Sequence, residues 1–183
     1  MKYIIRTISE EITDVLEEVS EEEAKKMTSY LHEANRIFIA GNGRSGLAGK
    51  MFAMRLMHVG YEVYVVGETI TPSIAEGDVL LVISGSGNTK SLVDFAEKAV
   101  REGANVLALT TNKESKVAEI SVSTLVIPAV TKNDSSKKAT IQPLGSQFDQ
   151  SAHLLLDSLI VYMTKYFTED GEDSWKRKHS NLE

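Results

Sequence analysis

Over the first 35 residues the apolar positions recur at helical spacing, at Ile5, Ile8, Ile12, Val15, Leu16 and Val19, with polar and acidic residues between them. That period predicts an amphipathic helix. Ser20-Glu21-Glu22-Glu23 has capping-box spacing and predicts a second helix through Ala24, Met27 and Leu31. One long helix broken at Ser20 satisfies the same pattern. The apolar stripe can pack on its own domain or on a second subunit.

From Arg36 onward the period changes to short apolar runs that alternate with helical stretches. Strands are predicted at 37–40, 61–66, 79–83, 105–109 and 124–127. The first run ends in Gly41-Asn42-Gly43-Arg44-Ser45-Gly46, and the helix after it carries Leu47, Met51, Phe52, Met54 and Leu56 and stops at Gly60. A second helix, with Leu92, Val93, Phe95, Ala96, Ala99 and Val100, is stopped by Gly103. A short helix near 114–119 and a long one from Phe148 to Phe167 follow, with a polar loop from Thr131 to Lys138 before the long helix. Apolar strands alternating with helices predict an α/β, doubly wound, three-layer αβα fold around a mostly parallel sheet. Residues 1–183 read as one domain, in which 1–35 form a helical N-terminal segment and 170–183 a polar tail.

Composition narrows the functional classes. The 183 residues carry a net charge of −6, which argues against broad electrostatic binding to nucleic acid. There is no cysteine, so thiolate nucleophiles, thiolate metal sites and disulfides are excluded. The polar, acidic first dozen residues are unlike a signal peptide, and no apolar run approaches the roughly 20 residues that span a bilayer. These features predict a cytoplasmic protein that makes no use of a membrane. The acidic runs Glu21-Glu22-Glu23 and Glu169-Asp170-Gly171-Glu172-Asp173 read as solvated surface.

Two strand-to-helix junctions are rich in glycine: Gly41-Asn42-Gly43-Arg44-Ser45-Gly46 and Ser84-Gly85-Ser86-Gly87-Asn88-Thr89. In an open parallel sheet both lie at the carboxyl ends of strands, where ligands bind. The second follows Val79–Ile83 and gathers the hydroxyls of Ser84, Ser86 and Thr89 at a helix start, where backbone N–H groups and the dipole favour an anion such as phosphate. The first also fits the dinucleotide fingerprint by spacing, and Glu68, about 22 residues after Gly46, stands where a ribose-binding acid would. Against that reading, Arg44 and Ser45 would crowd a pyrophosphate, and a dinucleotide leaves the second turn unexplained. Both junctions are also compatible with simple tight turns.

Several motifs together carry a resemblance. Gly43-Arg44-Ser45-Gly46, Phe52-Ala53-Met54-Arg55-Leu56-Met57-His58, Gly67-Glu68-x-x-Thr71-Pro72, Ser84-Gly85-Ser86-Gly87-x-Thr89, Gln142-Pro143-Leu144-Gly145-Ser146-x-Phe148 and the terminal His179-x-Asn181-Leu182-Glu183 resemble the sugar isomerase (SIS) domain family, in particular its 6-phospho-3-hexuloisomerase branch. The resemblance implies interconversion of D-arabino-hex-3-ulose 6-phosphate and fructose 6-phosphate in the ribulose monophosphate route of formaldehyde fixation or detoxification. It implies no organic cofactor, a tetramer, and functional coupling to hexulose-phosphate synthase. It also implies that Ser84, Ser86 and Thr89 bind phosphate with backbone N–H groups of Gly85, Gly87, Asn88 and their neighbours, and that Gly43, Arg44 and Ser45 line the sugar side of the pocket.

Moving a carbonyl from C3 to C2 needs a base that takes a proton from C2 and returns one to C3 through an enediol. The family places a carboxylate at the start of the last long helix, where this chain has Asp149. That position is usually Glu, so the base here is one methylene shorter. The alternative role for Asp149 is a helix N-terminal acid that satisfies free amides. His179 matches the terminal motif and could assist ring opening or stabilise the enediol oxygen if the tail reaches a pocket, its own or a neighbour's; a solvated tail residue is the alternative. Arg44 could neutralise substrate charge, and Glu68 could reach a sugar hydroxyl or stabilise its loop. His153, one turn after Asp149, reads as structural, His58 as a helix C-terminal residue and His32 as surface, while Arg55 reads as a structural or interface residue. No histidine spacing makes a metal site. Rival readings are a phosphoheptose-type isomerase and a non-catalytic sugar-phosphate sensor.

Overall fold

The computed structural model describes residues 1–130, 140–168 and His179. Five parallel strands, β1 (Ile37–Gly41), β2 (Val63–Val65), β3 (Val79–Ile83), β4 (Asn105–Thr110) and β5 (Ser123–Val126), form one sheet in the order β2-β1-β3-β4-β5. The helices are α1 (Lys2–Glu17), α2 (Glu21–Glu33), α3 (Gly43–Val59), α4 (Lys90–Arg101), α5 (Lys116–Ile120) and α6 (Ser146–Phe167). The doubly wound parallel sheet is therefore as predicted. The strand at 61–66 is shorter than its apolar pattern suggested, because β2 is an edge strand paired only with β1, over Ile37–Ile39.

The three central strands β1, β3 and β4 are apolar on both faces, and their alternating side chains build two cores. Ile37, Ile39, Leu81, Ile83, Leu107 and Leu109 point to the side of α3 and α6, where Phe52, Leu56, Phe148, Leu156 and Met163 close the larger core. Phe38, Ala40, Leu80, Val82, Val106 and Ala108 point the other way, under Leu92, Ala96 and Ala99 of α4 and Val117 of α5. Alanine at 40 and 108 lets the second layer sit close to the sheet.

The N-terminal segment is two helices rather than one. Ser20 caps α2, its hydroxyl accepting from the Glu23 N–H at 3.2 Å. Ile12 and Val15 of α1 and Met27 and Leu31 of α2 are buried, with Val15, Met27 and Leu31 in the larger core, so the segment packs on its own domain. The prediction that Glu21-Glu22-Glu23 is solvated needs one correction. Glu23 pairs with Lys113 at 2.7 Å and accepts from the Val126 N–H at 3.2 Å, which ties α2 to the edge of β5. The predicted loop Thr131–Lys138 and the Asn181-Leu182-Glu183 motif lie outside the described residues. No described helix is long and apolar enough to cross a membrane.

Candidate functional site

In the order β2-β1-β3-β4-β5 the chain leaves β1 toward one edge and β3 toward the other. Between the carboxyl ends of β1 and β3 lies the switch point at which open α/β sheets bind ligands. The two glycine-rich junctions follow these two strands. Gly41 and Gly46 let strand and helix meet there: a Cβ on Gly46 would stand 2.4 Å from the Gly41 carbonyl oxygen. Arg44 and Ser45 are thereby placed in the first turn of α3. Asn42, just before it, donates from Nδ2 to the Ser91 hydroxyl at 3.0 Å and so links the starts of α3 and α4.

The second turn is held by its own side chains. The buried Ser84 hydroxyl accepts from the Gly87 N–H at 3.1 Å. The Ser86 hydroxyl accepts from the Asn88 N–H at 3.2 Å. Asn88 donates from Nδ2 to the Ser86 carbonyl at 3.0 Å and accepts on Oδ1 from the Lys116 N–H at 3.1 Å, so its amide links the turn to α5. Gly87 has φ +61°, and a Cβ there would lie 2.0 Å from Ser115 Oγ. Thr89 is the N-cap residue of α4.

The first turn of α6 closes the arrangement. Asp149 accepts from Ser45 Oγ at 2.7 Å on one carboxylate oxygen and from Arg44 Nε at 3.1 Å on the other. Its side chain is only 12% exposed, whereas that of Arg44 is 60% exposed, so the carboxylate is shielded and the guanidinium faces solvent. A cavity of about 420 Å³ opens between these parts, lined by Asn42 to Ser45, Gly85, Ser86, Val130, Leu144, Gly145, Phe148 and Asp149. A second cavity of about 530 Å³ shares Arg44 and Asp149 with the first and runs on under α1 along apolar residues of α1, α3 and α6.

The structure thus brings together Gly43, Arg44, Ser45, Gly85, Ser86 and Asp149. Ser84, Gly87, Asn88 and Thr89 belong to the same turn but do not line the cavity. Glu68 stands apart, paired with Lys50 of α3. His153 lines the second cavity with its ring 3.7 Å from Asp157, not against Asp149. His32 is exposed but not isolated: its Nδ1 lies 2.9 Å from Tyr61 Oη, and its ring stacks on Phe167. His58 is buried, 4% exposed, in the last turn of α3, and His179 stacks on it with ring centroids 5.5 Å apart. Burial, with the charges of Arg55 and His179, lowers the His58 pKa from its ordinary value. Since Ser45 is in the first turn of that helix, His179 stands roughly 20 Å along the axis from Ser45 at the helical rise of about 1.5 Å per residue.

Sequence reasoning did not find the support behind the first turns of α6. Glu11 of α1 accepts from Thr140 Oγ1 at 2.5 Å, the Ile141 N–H at 2.9 Å and Gln142 Nε2 at 2.9 Å. Burial opposes its charge, and these three bonds outweigh burial and lower its pKa. Gln142 in turn accepts on Oε1 from Gln150 Nε2 at 2.6 Å. Gln142 was visible within its motif; nothing local to Glu11 distinguishes it from its acidic neighbours.

Two glycine-rich junctions and a shielded carboxylate thus meet at the switch point of a doubly wound sheet, and the chain belongs to the SIS domain family, whose model matches residues 30–144. Within that family its relatives are specific. It is 42% identical over 166 residues to the 3-hexulose-6-phosphate isomerase of Bacillus subtilis, covering 90% of this chain and 89% of that one. It is 38% identical to the 3-hexulose-6-phosphate isomerase of Mycobacterium gastri, over 96% of this chain and 88% of that one. Among solved structures it superposes with a TM-score of 0.83 and 34% identity, over 98% of each chain, on a Methanococcus jannaschii protein whose crystal structure was taken to infer that same function.

Proposed function

We propose that the chain is a 3-hexulose-6-phosphate isomerase that converts D-arabino-hex-3-ulose 6-phosphate to fructose 6-phosphate and back. The observation that carries this reading is the shielded Asp149 carboxylate, held at 2.7 Å by Ser45 on the wall of a cavity whose other wall is the Gly85-Ser86 turn. The phosphate docks on the 84–89 turn at Gly85 and Ser86, which line the cavity, while Ser84 and Thr89 support the turn from behind and come to the phosphate only if the turn opens toward it. The sugar lies along Gly43, Arg44 and Ser45, with Glu68 kept as a candidate for an outlying hydroxyl.

Asp149 takes the proton from C2. The electron pair of that C–H bond becomes the C2–C3 double bond of the enediol as the C3 carbonyl oxygen gains a proton. Collapse in the other sense sends the O2 proton away, forms the C2 carbonyl and returns the carboxyl proton to C3, so no oxidant or reductant is consumed. Arg44, bonded to Asp149 through Nε, offers charge to the enediol oxygens. His179 is proposed to move the hydroxyl protons at the cavity of a second copy, because in its own chain it stacks on His58 at the other end of α3. That role needs an oligomer, for which a tetramer is proposed. Location in the cytoplasm, work beside hexulose-phosphate synthase, and independence from organic cofactors and metals complete the proposal.

The test is a coupled assay. Formaldehyde, ribulose 5-phosphate, a hexulose-phosphate synthase and this protein should yield fructose 6-phosphate, while sedoheptulose 7-phosphate should not be isomerised. Stabilisation by sugar phosphates without turnover would overturn the reading in favour of a sensor.

A further inference from the structure

The helix α1 packs on α6, with Val15 in the larger core, and its Glu11 is bonded to the segment that leads into α6. An ionised carboxylate only accepts hydrogen bonds. Glu11 therefore requires the Gln142 side chain to present its NH2 group, which leaves Oε1 facing the other way. Gln150 then has one way to answer, by donating from Nε2 at 2.6 Å. The polarity of the whole chain Glu11–Gln142–Gln150 is set by the one charge at its start, and Gln142 is 5% exposed, so water does not offer its amide an alternative. Gln150 is the residue next to Asp149, in the first turns of α6.

We propose that Glu11 is a positioning residue: through Gln142 and Gln150 it fixes the first turns of α6, and with them the Asp149 carboxylate against Ser45. The proposal rests on Asp149 being the base of the proposed isomerisation. A neutral amide at position 11 removes the charge that sets this polarity. Its oxygen can answer the Ile141 N–H, but its NH2 group then faces the NH2 group of Gln142. A match returns only if the Gln142 and Gln150 amides both turn over, which undoes the fixed arrangement at the start of α6. Exchanging the two side chains restores the match, since a carboxylate at position 142 accepts both from the amide placed at position 11 and from Gln150.

The experiment compares wild type, Glu11→Gln, the double exchange Glu11→Gln with Gln142→Glu, and Asp149→Asn, in the coupled assay and by the carboxyl carbon resonance of Asp149 in labelled protein. Glu11→Gln should lower kcat about ten-fold with KM within two-fold, the loss of one charge-assisted hydrogen bond of about 1.4 kcal/mol. It should also move the Asp149 resonance, and the double exchange should restore both. An unchanged resonance and kcat in Glu11→Gln, with Asp149→Asn inactive, overturns the positioning role alone. Wild-type activity in Asp149→Asn overturns the base assignment instead. If the wild type turns over no substrate, the resonance decides: a shift that the exchange reverses supports the link from Glu11 to Asp149, and no shift removes it. A fall in kcat that only tracks a fall in folded fraction, read from circular dichroism, also overturns the role.

Discussion

Ser45 and Asp149 are 104 residues apart in the chain and 2.7 Å apart in the fold, joined by a hydrogen bond between the first turns of α3 and α6. One helix is set by the close approach of Gly41 and Gly46, the other by the segment that Glu11 holds. The Asp149 carboxylate thus depends on two elements that enter the site from separate directions.

Removing the charge of Asp149 while keeping its shape removes the proton acceptor. Asp149→Asn should lower kcat by roughly 10²–10⁴-fold, the usual span of general-base catalysis, with the melting temperature little changed. Asp149→Glu should keep measurable activity, since the carboxylate is retained and its reach grows by only one methylene. Steady-state kinetics and thermal melts of the two variants check both statements.

Ser45→Ala takes one donor from the carboxylate but leaves Arg44. The expected result is a fall of roughly ten-fold in kcat, in line with about 1.5 kcal/mol for a hydrogen bond to a charged group. Equal losses in kcat and in phosphate affinity would place Ser45 on the phosphate instead. Inorganic phosphate as a competitive inhibitor separates the two outcomes.

Gly87 has φ +61° and its Cβ would meet Ser115 Oγ at 2.0 Å, the residue whose hydroxyl caps α5. Gly87→Ala should destabilise the fold by roughly 2–4 kcal/mol, combining overpacking and backbone strain. It should also raise KM, because the 84–89 turn must move. Urea unfolding and KM for the ketose phosphate are the measurements.

Most of the architecture was legible because it rests on local signals. The apolar runs at Ile37–Ala40 and Val79–Ile83, and the glycines that end them, specify strands buried on both faces and the two junctions. The hydroxyl-rich turn Ser84–Thr89 is likewise contiguous. Pairings across the chain were not legible in the same way. Asp149 was placed by resemblance, but its contacts with Arg44 and Ser45 depend on how α6 returns to α3. Glu23 reads as part of a solvated run and Glu11 is one unmarked acid among the polar positions of the first helix, because a sequence pattern gives no sign that a loop or a strand edge will bring its N–H groups to them.

Leu144 is the one described non-glycine residue with positive φ, at 56°, directly before the N-cap of α6. A leucine in this region costs about 1–2 kcal/mol, and such strain gathers at functional sites. Leu144 lines the cavity and is 70% exposed, so no buried contact explains why glycine is not used there. Leu144→Gly should relieve the strain, yet should weaken ketose phosphate binding by opening the cavity wall. A higher melting temperature with a higher KM is expected, and an unchanged KM would show that the side chain serves no role in binding.

His58 supplies the pH dependence. Its folded pKa lies below the ordinary value of 6.5 because it is buried and faces Arg55 and His179. Below pH 6.5 the unfolded chain takes up the proton first, so the folded state loses stability as pH falls from there through the lowered folded pKa, and regains it as pH rises. Urea unfolding of wild type should show stability rising between about pH 5 and about pH 7. In His58→Gln that rise should be smaller, while the loss owed to Glu11, whose pKa is lowered, comes at more acid pH and should be the same in both proteins. Equal slopes in the two proteins would show that His58 titrates alike in the folded and unfolded states.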